Sequence, residues 1–171
     1  MKKHGDNIKE LYKCLKEEGV IANLTSITIF GEFYGGIYPG MKSVGKKIQD
    51  FIYYSPSSEF EAFDLFYTTS DNAEKQIYPY KESCLFFERF KIPFAAVLHE
   101  GTVKELLAKL DPNTFQSTIY AKHGLPKLDD NIAEGYVIKP NVAMKDKWGN
   151  RMSIKVKSDR CLEGPKPPAA T

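Results

Sequence analysis

The stretch Ala133-Glu134-Gly135-Tyr136-Val137-Ile138-Lys139-Pro140 reads as a short apolar strand with a carboxylate at its entrance and a lysine at its exit. The two-residue period of a strand sends Tyr136 and Ile138 to one face. Past a turn marked by Gly149-Asn150 comes a second strand, Arg151 to Lys157, where Lys155 and Lys157 alternate with Ile154 and Val156. Both lysines share one face and both aliphatics the other. With Lys139 they make a candidate cluster of three cations. Two readings stay open: a solvated lysine face that deters edge-to-edge aggregation, or a site for an anion such as a triphosphate or a nucleic-acid backbone.

Two other stretches have the same character. Ile27 to Gly35 is a strand running into a glycine-bracketed carboxylate, Glu32, with Gly31 and Gly35 allowing close backbone approach or positive φ. Phe60-Glu61-Ala62-Phe63-Asp64-Leu65 closes another apolar segment on an aromatic and an acid. Phe63 is either a core residue or an aromatic platform for a base. Glu32 is either a solvated strand end or a hydrogen-bond acceptor. Glu134 is either a partner for nearby lysines or a ligand for a hard cation.

The chain has 171 residues, enough for one domain with a real core. Its 42% hydrophobic and 13% aromatic content predicts folding, not disorder. A net charge of +2 permits a nucleic-acid partner without demanding one, so any basic footprint must be local. Cys14, Cys84 and Cys161 are far apart and lack metal or redox spacing, the pattern of reduced thiols in an intracellular, cytoplasmic or equivalent compartment. His4, His99 and His123 are equally scattered, which argues against zinc. No apolar run is long enough for a membrane span.

In order, the sequence predicts a helix over 6–18 stopped by Gly19, a strand over 25–32, and a Gly/Pro-rich loop over 34–45. Lys42, Lys46 and Lys47 on and after that loop are either solvated or phosphate contacts. Strands are expected over 51–54 and 59–67, separated by Ser55 to Ser58, with a short edge strand near Ile77. A helix follows over 80–90, with Cys84 and Phe87 inward, then a strand over 94–98. Thr102 and Glu105 form a capping box for a helix ending near Leu110. One more helix is expected from Asn113 or Thr114 to about Lys122. The mixture implies α+β, with antiparallel sheets flanked by helices. Residues 1–162 make up the domain and 163–171 a disordered proline-rich tail.

Taken together and in order, these stretches resemble the nucleotidyltransferase motifs of ATP-dependent RNA ligases, the family of the second RNA ligase of T-even phages and the trypanosome RNA-editing ligases. Phe30-Gly31-Glu32-Phe33 is similar to the third motif, and Ala62-Phe63-Asp64 to the one after it. Glu134 to Pro140 is similar to the fourth, and Ile154-Lys155-Val156-Lys157 to the fifth. DNA ligases and capping guanylyltransferases share the fold, but Phe63-Asp64 and the Lys-x-Lys form resemble RNA ligase more.

The resemblance implies an adenylation domain with the nucleotide held between two sheets. It also implies ATP, Mg²⁺ and RNA, with a nicked duplex as substrate. Phe63 would stack on adenine, and Glu32 would accept from ribose hydroxyls. Glu134 would bind Mg²⁺, while Lys139, Lys155 and Lys157 would neutralise phosphates. Asp64 would orient a lysine or an arginine, and Arg151 and Lys147 would face RNA. The family's nucleophilic lysine belongs to a first motif. The string Lys2-Lys3-His4-Gly5-Asp6-Asn7 fits that motif's letters but equally reads as the start of the first helix. On the second reading the domain is N-terminally incomplete, lacking that motif and an arginine strand. The chain is then either a ligase or a non-catalytic module that binds nucleotide or RNA.

Overall fold

The computed structural model describes residues 4–162; Lys2 and the proline-rich tail expected above lie outside the described residues. The described chain divides into two compact units. The first comprises residues up to 33, 59–98 and 139–153; the second comprises 34–58, 99–138 and 154 onward.

The first unit is built on helix α1 (Gly5–Glu17), whose Leu11 and Leu15 are fully buried. His4 is its N-cap residue, so Gly5, Asp6 and Asn7 are helical. Strand β1 (Leu24–Gly35) lies beside β2 (Ser58–Thr69), which is paired on its other side with the two-residue β3 (Gln76–Ile77). Thr25 bonds Thr68 while Gly31 abuts Phe60 and Glu61, so β1 and β2 run in opposite directions. Helix α2 (Tyr80–Arg89) buries Ser83 and Phe87, and Arg89 clasps Glu18 at the end of α1. Leu11, Leu15, Leu24, Ala62, Leu65, Phe87 and Ile92 close into one apolar cluster, the main source of this unit's stability.

At Gly31 a Cβ would sit 2.2 Å from the Phe60 ring and 2.5 Å from the Glu61 carbonyl oxygen. Glycine is the residue that lets the two strands approach there. Gly31→Ala should cost about 1–3 kcal/mol through overpacking, read as a lower midpoint in urea with an unchanged slope.

Strand β2 departs from simple alternation. Phe60 and Ala62 face the apolar cluster at one end, Leu65 and Tyr67 at the other. The three-residue step from Ala62 to Leu65 breaks the two-residue period, as an extra residue in a strand does. Phe63 and Asp64 thereby fall outside the apolar cluster, with Asp64 still buried. The expected strand over 94–98 is only a one-residue parallel bridge, Phe94 to Ala62. Ala62 spends its amide on Pro93 and its carbonyl on Ala95, and no ladder extends further.

In the second unit β4 (Gly135–Ile138) pairs antiparallel with β5 (Ile154–Lys157), in the register Gly135↔Lys157 and Val137↔Lys155. Helix α3 (Val103–Lys109) has the predicted capping box between Thr102 and Glu105. Two expectations here are corrected. Residues 51–54 are not a strand: Asn131 takes both edges of Tyr53, accepting from its amide at 2.9 Å and donating to its carbonyl at 2.6 Å. A side-chain amide mimics a strand partner and satisfies the backbone without a ladder. The helix expected from Asn113 is reduced to α4 (Ile119–Lys122). Residues 115–117 instead bridge 131–133, through Ser117 N–H to Asn131 O and Ala133 N–H to Phe115 O, each 2.8 Å. Among the described residues no helix is long and apolar enough to cross a membrane.

Candidate functional site

In the first unit, Asp64 is 5% exposed and collects two cations. Its Oδ1 accepts from Lys139 Nζ at 3.1 Å, and its Oδ2 accepts from Arg151 Nη1. Lys139 also donates to the Phe63 carbonyl and sits 3.9 Å from the Tyr80 ring centroid. The Phe63 ring lies 5.6 Å from Lys139 Nζ and 5.7 Å from the Arg151 guanidinium carbon. Burial pulls the Lys139 ammonium below its usual range, and the Asp64 charge opposes that fall. Burial also pushes the Tyr80 phenol and the Cys84 thiol upward. The result is one carboxylate balanced against two cations beside an aromatic ring. Removing one partner of such a buried group would leave an uncompensated charge away from water.

Phe63 is half-buried and outside the apolar cluster, so the reading of Phe63 as a core residue does not apply. Glu32 is exposed on β1. Asp64 pairs with both a lysine and an arginine, where the expectation was one or the other. The arginine is Arg151, whose guanidinium is turned to Asp64 and not outward to RNA as expected. Nothing in the sequence marks Tyr80 as a partner of Lys139. A tyrosine opening a helix carries no mark of the cation that will settle on its ring.

In the second unit Glu134 stands just before β4, its side chain about one-third exposed. Lys157 Nζ is 3.6 Å and Lys155 Nζ 3.8 Å from its Oε1. The β4–β5 register creates this group, because Gly135 faces Lys157 across the pair. A Cβ at Gly135, where φ is +149°, would lie 1.9 Å from the Val156 carbonyl oxygen. Only glycine permits this approach. The Ser158 amide then donates to the Glu134 carbonyl at 2.9 Å, tying the end of β5 to the carboxylate's own residue.

β4 ends at Ile138, and Lys139 belongs to the first unit, where Asp64 is its counter-charge. Lys155 and Lys157 remain together with Glu134. Of the loop lysines, Lys47 pairs with Asp50 at 2.7 Å, while Lys42 and Lys46 are exposed.

The described residues hold no group of three or more His, Cys, Asp or Glu side chains able to cage a metal. Mg²⁺ keeps several waters and takes one or two carboxylates together with substrate phosphates, so a lone carboxylate suffices once an anion has drawn the two flanking ammonium groups off it. Glu134 fits that donor set.

Each unit thus carries a group of its own: the second a carboxylate with two lysines, the first an aromatic ring edged by cations. A family model described as RNA ligase matches residues 1–157. The chain belongs to the RNA ligase family.

Proposed function

We propose that the chain is the adenylation domain of an ATP-dependent RNA ligase of the T-even-phage and trypanosome-editing type. It joins a 5′-phosphate to a 3′-hydroxyl through an AMP-activated intermediate, with nicked duplex RNA as substrate. The observation that supports this best is Glu134 set between Lys155 and Lys157. Two ammonium groups on one carboxylate at 3.6–3.8 Å form a loose, exchangeable arrangement. Phosphate oxygens replace the carboxylate on the lysines, and the released carboxylate is free for a hydrated metal.

Bound Mg²⁺ would supply charge neutralisation at the phosphates. The chain's own residues do the rest. Lys155 and Lys157 hold the phosphates and stabilise the charge that builds as pyrophosphate leaves. Phe63 offers a face for adenine, and Glu32 an acceptor for ribose hydroxyls. Lys139 acts from its pairing with Asp64, as a held cation whose position Asp64 and the Phe63 carbonyl define.

The test is incubation of the chain with Mg²⁺ and ATP labelled at the α-phosphate, alongside a nicked RNA duplex labelled at the internal 5′-phosphate. The expected results are label retained on denatured protein and the nick phosphate becoming resistant to phosphatase. A Lys2→Ala variant that no longer takes label identifies Lys2 as the nucleophile. ATP bound without label or sealing would replace this reading with that of a non-catalytic nucleotide-binding module.

A further inference from the structure

Residues 141–152 of the first unit form a clasped hairpin tip. Lys145 bridges Arg151, and the Met152 amide donates to the Met144 carbonyl at 3.0 Å. Asp146 organises the turn. Its Oδ1 accepts from the amides of Trp148 and Asn150, each at 2.8 Å, and its Oδ2 from the Asn150 side chain at 3.2 Å. Gly149 and Asn150 complete the turn, so nothing in it requires an aromatic residue. Yet Trp148 stands at the tip, 75% exposed, with Lys147 Nζ 4.3 Å from its ring centroid.

A large apolar ring held in water by a rigid turn contributes little to folding. The charge around it is one-sided. The tip's single carboxylate, Asp146, is spent on inward-facing N–H groups, which leaves Lys145 and Lys147 outward. Lys145 has only a 3.9 Å exposed pairing with Glu74. A cation resting on a π face is what a polyanion bearing flat rings can displace: phosphate takes the ammonium and a base takes the ring.

We propose that Lys147 and Trp148 form an RNA contact, with the Trp148 indole stacked on an unpaired base and Lys147 on a neighbouring phosphate. The proposal rests on the RNA ligase reading above; to the expectation that Lys147 faces RNA it adds Trp148 and the stacking contact. Because the turn is closed by Asp146 before RNA arrives, binding need not order the backbone that carries the ring, only the side chain itself.

Trp148 is the sole tryptophan of the chain, beside ten tyrosines, so fluorescence excited at the red edge where tyrosine does not absorb reports on this tip alone. The full chain is titrated with a short unstructured 5′-phosphorylated RNA while anisotropy of a dye-labelled copy measures binding independently. Saturable quenching is expected, with the same Kd by both signals. Trp148→Ala should weaken binding about five- to a hundredfold, whereas Trp148→Phe, which still stacks, should keep most of it. Lys147→Ala should lower the salt slope of binding by about one.

RNA binding without quenching, or equal affinity in Trp148→Ala, overturns the proposal. So does a fluorescence change that follows protein concentration instead of RNA, which would make the tip a contact between copies. Labelled-ATP binding in the same samples separates the failures. Retained ATP binding and sealing with an indifferent Trp148 sinks only the tip; loss of ATP and RNA binding together sinks the ligase reading as well.

Discussion

Lys157→Ala should slow AMP transfer from ATP by about two to three orders of magnitude at saturating ATP, because under the proposed function it removes a preorganised cation directed at developing phosphate charge. Lys155→Ala should lose a smaller factor. The Lys157 side chain is 24% exposed and that of Lys155 56%, and a charge shielded from water acts through a lower effective dielectric. Lys157→Arg should restore only part of the rate, since a planar guanidinium does not reproduce a compact ammonium on a strand of fixed register. Both alanine variants should melt close to the parent, because pairings of 3.6–3.8 Å at a part-exposed carboxylate contribute little to stability. Single-turnover label transfer, read beside a thermal melt, tests the assignment. Unchanged rates in both alanine variants would refute the roles given to these lysines, and a collapsed melt would make them structural.

The parts of this site that were legible are those carried by period and by glycine. Alternation in Ile154 to Lys157 placed the two lysines on one face, and the β4–β5 register puts that face beside Glu134. The Thr102–Glu105 capping box was legible because its donors and acceptors lie within one turn. What failed was everything settled by a distant partner. The Phe51 to Tyr54 segment has the composition of a strand, but Asn131 meets its backbone with a side chain. Residues 115–117 were drawn from a helix into a bridge with 131–133. The slip in β2 was invisible for the same reason. It leaves Phe63 and Asp64 outside the apolar cluster, and only Lys139 and Arg151, far along the chain, show what the acid does. Motif letters point to Asp64 without giving its partners, and geometry supplies them.

Asp64→Ala should be the most destabilising single change among the site residues, costing about 3–5 kcal/mol, because it leaves two cations facing each other where one carboxylate had balanced both. For a chain of this size that is a fall in Tm on the order of 10 °C. Asp64→Asn keeps the shape and one acceptor but not the charge, and should still cost a large part of this. The pH dependence gives a sharper test. Burial already depresses Lys139 below its usual value of 10.5, and Asp64 is the main influence holding it up. Removing Asp64 must depress it further. For a base depressed in the folded state the unfolded chain binds more protons, so stability rises with pH between the folded value and 10.5. The deficit of Asp64→Ala relative to the parent should therefore shrink as alkaline pH neutralises Lys139. It should not vanish, because Arg151 keeps its charge throughout. Adding Lys139→Met to Asp64→Ala should recover stability and flatten that pH dependence, a coupling that independent sites would not show. A deficit that is constant with pH, or a double variant whose losses simply add, would mean that Asp64 serves Arg151 alone.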